Sequence, residues 1–484
     1  MHSTVLLISL ISYLLLLFGI SWFSSRKADN KSFFQGNKKS PWPIVAYGML
    51  GTSVSGVTFV SVPGNVLNTN FYYMPLVFGF LAGYLVITTI LLPLYYKMNL
   101  VSIYGYLENR LGHRSYKTGT VFFMISRILG ATVRVFLVVL VLYNLIPKNA
   151  NIPFVVVASV FMLLIFLYTY RGGVKTIIWT DCLQTTFTLL AVVLAVIAIC
   201  NQMGWSFSDM TVAVTNSDYS KWIDTDWSKG THFFKQFFSG MFITIAAVGL
   251  DQSMMQKNIS CSNLKKAQKN MLTTSFILVV ANFLFVWLGA VLVIYMQAKG
   301  IVIPDSDNIF GVIANEYLGT AVALFFVIGL ISSSFPSAAG ALTALTTSFC
   351  IDFLNFNKRT DLNDNKQTKI RRIVHLSYSV LFVFLILFFF FSKSEAVIDL
   401  VYKMVAYTYG PLLGLFFFGI LTKRVVVDRV IPYVAAISPV LCWIMNTITT
   451  TYFNFGFGFT LLIFNGLFTF IGMYIFSRRP VVNL

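Results

Sequence analysis

Charged side chains are scarce in the apolar stretches of this chain, so the few that fall inside them invite a chemical reading. Arg127 and Arg134 share one stretch, about two helical turns apart and so on roughly one face. An Arg at the centre of a membrane helix costs ~2.5–3.5 kcal/mol even on a lenient insertion scale, so both are expected to face a protein interior. Arg134 reads as the anchor or gate for an anionic group, or equally as half of an internal salt bridge. Arg127 reads better as a salt-bridge partner, or as a side chain reaching to the nearer surface. Asp399 and Lys403 have the four-residue spacing of a side-by-side helical ion pair. Asp181, in Trp179-Thr180-Asp181-Cys182-Leu183-Gln184, is either a first-turn residue favoured by the helix dipole or part of a cation relay near the inner mouth.

Catalytic constellations are missing. His2, His113, His232 and His375 form no ligand cluster, no Ser/His/Asp arrangement is visible, and no glycine-rich phosphate loop follows a strand. Cys182, Cys200, Cys261, Cys350 and Cys442 show no paired spacing. The chain is therefore expected not to be an enzyme.

The elements that must position these residues are membrane helices. Of 484 residues, 57% are hydrophobic and only 11% charged, against about 25% charged in an ordinary soluble protein. Thirteen stretches are long and apolar enough to cross a hydrocarbon core, which takes ~20 residues. They run approximately over 3–23, 43–63, 71–96, 119–146, 153–170, 179–200, 233–250, 271–297, 318–350, 372–392, 396–421, 430–449 and 455–477. The first lacks the basic leader and cleavage site of a signal peptide and is expected to be retained. The whole chain, 1–484, reads as one membrane domain.

The net charge of +18 is explained by topology rather than by nucleic acid. Basic residues collect in alternate gaps: Arg26, Lys27, Lys31, Lys38 and Lys39; Arg110, Arg114 and Lys117; Arg171 and Lys175; Lys257, Lys265, Lys266 and Lys269; Lys358 to Arg372; Lys423, Arg424 and Arg429; Arg478 and Arg479. This positive-inside bias puts the N-terminus outside and the C-terminus in the cytoplasm. The compact chain and short loops fit a bacterial cytoplasmic membrane.

Several stretches are interrupted. The second holds Gly48, Gly51, Gly56, Pro63 and Gly64 among hydroxyl residues; the seventh carries Gly240 and Gly249; the ninth has Gly329, Ser332, Ser333, Ser334, Pro336, Ser337 and Gly340. Carbonyls freed by a break must be buried in protein or line a polar cavity. Broken helices near the midplane of two halves point to a transporter site. The second and ninth stretches are expected to be the two fractures.

Five segments, in order along nearly the whole chain, resemble the sodium:solute symporter family. They are Thr52–Gly64 (TSVSGVTFVSVPG), Tyr168–Lys175 (YTYRGGVK) running into Trp179-Thr180-Asp181 and Gln184, Gly249–Lys257 (GLDQSMMQK), Ala341–Ser348 (ALTALTTS) leading to Asp352, and Gly410–Gly419 (GPLLGLFFFG) ending in Lys423-Arg424. The resemblance implies an all-α, leucine-transporter-type fold: two inverted repeats of five helices, about 43–200 and 233–421, with one extra helix before and two after. It also implies inward Na+ flow coupled to uptake of a small solute, with the lipid bilayer and the solute as partners. By segment matching, Na+ would be held by the carbonyls of Gly51, Val54 and Ser333 and the hydroxyl of Ser337. The matched solute positions are Ser53, Ser55, Thr58, Tyr73 and Val77. Arg134 is offset by about one turn from the Arg that holds a carboxylate in sialic-acid-carrying members, and Val77 replaces a polar residue of those members. Pro336 stands where a second ion-binding hydroxyl is usual, and Ala339 and Gly340 replace further ones. These departures argue against a second Na+ and either weaken the main site or, through the proline, free another carbonyl. A proton-coupled carrier of the same fold, or a receptor that binds without transporting, stays open as an alternative.

Overall fold

The computed structural model describes residues 2–26, 28–146, 151–357, 359, 361–392, 397–453 and 455–479. In chain order the main helices are α1 (His2–Ser25), α2 (Trp42–Ser53), α3 (Gly56–Thr69), α4 (Met74–Val86), α5 (His113–Leu145), α6 (Phe154–Thr169), α7 (Val174–Met203), α8 (Phe233–Thr244), α9 (Gln252–Ile259), α10 (Leu264–Ala298), α11 (Thr320–Ser348), α12 (Asp364–Phe391), α13 (Val397–Leu421), α14 (Ile431–Phe453) and α15 (Leu461–Ile475). Among the described residues the only strands are Val425–Val426 and Ser477–Arg478, paired antiparallel. Among the described residues nine helices are long and apolar enough to cross a membrane, eleven when each of two bent pairs counts as one span, and Phe154–Thr169 and Ala406–Leu421 are shorter apolar helices. Each of the thirteen apolar stretches read from the sequence coincides with one of these. The side chains of Asp399 and Lys403 lie outside those described.

Burial separates a core from a lipid-facing shell. Every residue of α11 from Phe326 to Ser348 is buried, whereas α1 and α12 keep Phe23, Phe384 and Phe388 more than 60% exposed. A helix apolar all round and buried all round belongs at the centre of a bundle. The core helices α4 and α8 pack backbone to backbone: a Cβ added at Gly79 would stand 2.0 Å from the Phe237 carbonyl oxygen, and one at Gly240 would stand 2.0 Å from that of Leu76. Only glycine permits that approach.

The first expected fracture is present. α2 and α3 are bent by 52° across Val54 and Ser55, which leave helical geometry (ψ 85 and 173). The Leu50 carbonyl still accepts the Val54 N–H at 2.7 Å. A helix end strands the carbonyls of its last turn, here those of Gly51 to Val54.

The second fracture corrects the expectation. It lies in the seventh span, not the ninth: the Phe233–Gly249 segment and α9 are bent by 65°. A π-helical turn, Ile245–Gly249, loosens the chain, and the Asp251 carboxylate then caps α9, accepting the N–H groups of Ser253 at 2.8 Å and Met254 at 3.2 Å. The freed carbonyls of Gly249 and Leu250 are satisfied by the Tyr95 and Tyr104 hydroxyls, at 2.9 and 2.8 Å. By contrast, α11 runs unbroken through Pro336. Proline removes one N–H, but neighbouring helices and hydroxyls can take up the slack in a membrane bundle. Tyr168 of α6 donates to the Phe335 carbonyl at 3.3 Å, and Ser333, Thr346 and Thr347 bond back to their own helix. Serine density in the ninth span marks a polar surface on an intact helix.

Candidate functional site

A cavity of about 110 Å³ opens at the first break. The end of α2 brings Ser53 to it, the non-helical linker and the start of α3 bring Ser55 and Thr58, the end of the α3–α4 turn brings Tyr73, and α5 brings Arg127 and Arg134. Thr244 and Asn282 add polar atoms from the opposite wall, while Val62, Phe80, Ile243 and Leu278 make the rest apolar. Ser53 donates to the Met49 carbonyl at 3.0 Å and lies 3.4 Å from the Tyr84 hydroxyl. Val77 is buried on α4 and is not among the lining residues. An apolar chamber with a few convergent hydroxyls and guanidiniums suits a small polar or anionic molecule.

Arg127 is an internal ion-pair partner. Its Nη1 lies 3.6 Å from Asp251 Oδ2, and its Nη2 donates to the Ser337 carbonyl at 3.3 Å. The Tyr409 hydroxyl also donates to Asp251 Oδ2, at 2.7 Å. Arg127 therefore links the capped second break to α11, across from the first.

Oxygen atoms converge between that first break and α11. The Ser337 hydroxyl, 1% exposed, donates to the Thr52 carbonyl at 3.3 Å. A Cβ at Gly56 would be 3.8 Å from the Ser333 hydroxyl oxygen, so Ser333 also faces the break; that hydroxyl donates to the Leu330 carbonyl at 2.8 Å, leaving its carbonyl as the remaining donor atom of interest. Stranded carbonyls and a serine hydroxyl are the hard oxygen donors that a small monovalent cation takes, and they avoid the cost of an uncompensated buried carboxylate.

One residue from this group sits a carboxylate with a built-in counter-charge. Asp181 Oδ2 receives the Thr52 hydroxyl at 3.0 Å and the Lys257 ammonium at 2.5 Å, and Lys257 also donates to the Thr52 hydroxyl oxygen. No described residue hydrogen-bonds Asp181 Oδ1. Two sequence expectations change here. Asp181 is not in a first turn: the left-handed Gly173 (φ 52) ends the preceding loop and starts α7 at Val174, about two turns earlier. Lys257 is not in an inner loop: it lies on α9, 2% exposed. Asp251 and Lys257 both belong to the Gly249–Lys257 segment, but only the break at Leu250 turns that segment back into the bundle. Its signal was an Asp directly after Leu250 and a short amphipathic run ending in a lone Lys.

Comparison with known proteins follows the same lines. Sodium/sialic acid symporters from Aliivibrio fischeri and Proteus mirabilis are 22% and 23% identical to the chain, over 94% and 85% of it and 90% and 83% of their own lengths. The human sodium-coupled monocarboxylate transporter 2 is 24% identical over 82% of the chain and 64% of its own length. A solved Na+-coupled sialic acid symporter, substrate-bound and outward-open, superposes with a TM-score of 0.84 at 19% identity, covering 98% of this chain and 99% of that one. Mhp1, a nucleobase-cation-symport-1 family transporter in a closed conformation, superposes at 0.53 with 14% identity over 91% and 94%. The two structures share the fold. Residues 33–428 match the sodium:solute symporter family, and the chain belongs to that family.

Proposed function

We propose that this multi-pass membrane protein couples inward movement of Na+ to uptake of a small anionic organic solute by alternating access. The observation that carries the reading is the contact of Ser337 with the Thr52 carbonyl at the first break, directly beside a cavity lined by Ser53, Ser55, Thr58, Tyr73 and Arg134. The named cargoes of the relatives, sialic acid and monocarboxylates, are carboxylates, and a guanidinium is the natural partner for one.

In this reading the carbonyls of Gly51, Val54 and Ser333 and the Ser337 hydroxyl hold Na+, tying α2 and α3 to α11. The ion fixes the angle between the broken halves and so completes the neighbouring solute chamber. Val77 packs behind that chamber rather than on its wall. Residues about 43–200 and 233–421 act as the two repeats of one transporter domain, 1–484, with the N-terminus outside and the C-terminus in the cytoplasm of a bacterial cell. A membrane potential of 100 mV is worth ~2.3 kcal/mol per elementary charge moved across. One Na+ with a monoanion moves no net charge, so that pair draws on the ion concentration gradient alone. The test is uptake of radiolabelled sialic acid, then of monocarboxylates, into proteoliposomes. Accumulation is expected with a Na+ gradient; equal accumulation with choline, at fixed K+ and pH, sinks sodium coupling.

A specific observation favours a second reading, proton coupling on the same fold. The Lys257 ammonium already sits on Asp181 at the edge of the ion site, and Pro336 offers no hydroxyl there. Uptake driven by a pH gradient without Na+ selects this alternative.

A further inference from the structure

Far from the solute chamber, on the face that collects most of the basic residues, four arginines surround a second cavity of about 130 Å³. On the same kind of measure a single water needs only about 10–15 Å³. Arg26 follows the end of α1, Arg171 lies in the turn between α6 and α7, and Arg371 and Arg372 lie two turns into α12. Thr368 adds a hydroxyl and Asp29 a carboxylate. The Asp29 carboxylate is engaged locally: its Oδ1 accepts the Ser32 N–H at 2.7 Å, capping the short helix Asn30–Gln35. Among the described residues none of the four arginines makes an ion pair with a carboxylate.

Arg371 makes this more than a charged surface. It is 3% exposed. Its Nη1 donates to Asn30 Oδ1 at 2.8 Å, its guanidinium lies 4.2 Å from the centre of the Phe33 ring, and no described residue accepts its Nε–H. A buried cation with an unused donor, beside three more cations, calls for an anion. Elsewhere on the same face, Lys265, Lys266 and Lys269 are simply exposed to solvent, as a charge bias for topology alone requires.

We propose that the Arg26–Arg171–Arg371–Arg372 cavity binds a phosphate group. Guanidinium forks match phosphate oxygens in bidentate geometry, and basic cavities between membrane helices suit phospholipid head groups. The surroundings favour a phosphate carried on a lipid over a free one. Trp22 is 49% exposed, Phe23 69% and Ile373 56%, and the Arg26 guanidinium stacks 4.3 Å over the Trp22 ring. The cavity thus opens where apolar surface meets the basic face, the level of a head group with its acyl chains alongside. A phosphate there ties the end of α1 and the α6–α7 turn to α12, adding to contacts these elements already share, such as the Ser21 hydroxyl on the Tyr168 carbonyl and Thr169 beside His375.

The test leaves buried Arg371 in place and uses the exposed pair Arg171→Gln/Arg372→Gln in the full-length protein. Native mass spectrometry after exchange into mixed phosphatidylglycerol and phosphatidylcholine is expected to show selective retention of phosphatidylglycerol by the wild type, reduced at least tenfold in the variant. Lys265→Gln/Lys266→Gln, which removes as much charge from the same face, is expected to retain it. Inorganic phosphate is the second arm: if millimolar phosphate raises the melting temperature of the wild type but not of the arginine variant, and phosphatidylglycerol is not selected, the site takes free phosphate. Equal lipid retention by both variants and the wild type, with no phosphate-dependent shift, overturns the proposal. So does equal loss from the lysine control, which would reduce the effect to general surface charge.

Discussion

Lys257 and Asp181 meet at 2.5 Å where neither side chain is more than 2% exposed. Asp181 sits on the continuous α7 and Lys257 on α9 beyond the second break, 76 residues apart, and Thr52 at the first break completes the triangle. Removing one member of a buried pair strands the other charge at a cost of about 3–5 kcal/mol, whereas removing both can be nearly neutral. Asp181→Asn and Lys257→Met should each lower the melting temperature markedly in detergent, and the double variant should recover most of the loss. Additive losses in that double-mutant cycle would mean the two residues act independently.

Ser337→Ala removes a hydroxyl from the proposed ion site. A hydrogen bond or ligand contact to a charged group is worth about 1.5–3 kcal/mol, so the Na+ concentration for half-maximal uptake should rise roughly 10- to 150-fold. Ser333→Ala should do little, because its hydroxyl already serves the Leu330 carbonyl and the proposed site uses only its carbonyl. A Na+ titration of uptake compares the two; equal effects would misplace the site.

Arg134→Gln should raise the KM for an anionic solute by about thirtyfold or more, corresponding to the lower part of the ~2–5 kcal/mol lost when a partly buried charge partner is truncated. Binding of the same solute, measured by calorimetry, should weaken in parallel while the melting temperature stays close to wild type. Arg127→Gln should show the reverse emphasis, a lower melting temperature, because Asp251 keeps the Tyr409 hydroxyl but loses its counter-charge. An Arg134 variant with ordinary affinity and poor stability would make Arg134 structural.

Gly240→Ala should destabilise the protein by about 1–3 kcal/mol, the usual cost of overpacking, because the new methyl meets the Leu76 carbonyl at 2.0 Å. Gly130→Ala on α5 is the matched control. Nothing lies within 4 Å of a Cβ there, and Ala is the better helix former by about 1 kcal/mol. Thermal melts of the two variants should shift in opposite directions.

Much of this architecture could be read from residue order, because hydrocarbon imposes long apolar runs. The break at Val54 was legible for the same reason: Gly51 and Gly56 frame it among hydroxyl residues. The ninth span misled because Ser333, Pro336 and Ser337 look like a rupture, yet α11 runs whole, buried among its neighbours from Phe326 to Ser348. The seventh broke instead through an Asp251 cap, a local device that composition does not reveal. Pairing was the least legible level. Lys257 looked like one more cytoplasmic lysine until the bend at Leu250 carried it inward to Asp181, and nothing in either segment names the other.

The unbroken course of α11 gives the proposed ion site two unequal walls. One is a splintered strand of backbone able to change its angle; the other is a straight post, sunk among its neighbours from Phe326 to Ser348. An ion leaving such a seat frees the pliant side and leaves the rigid one in register, so the next ion meets half of its berth already built.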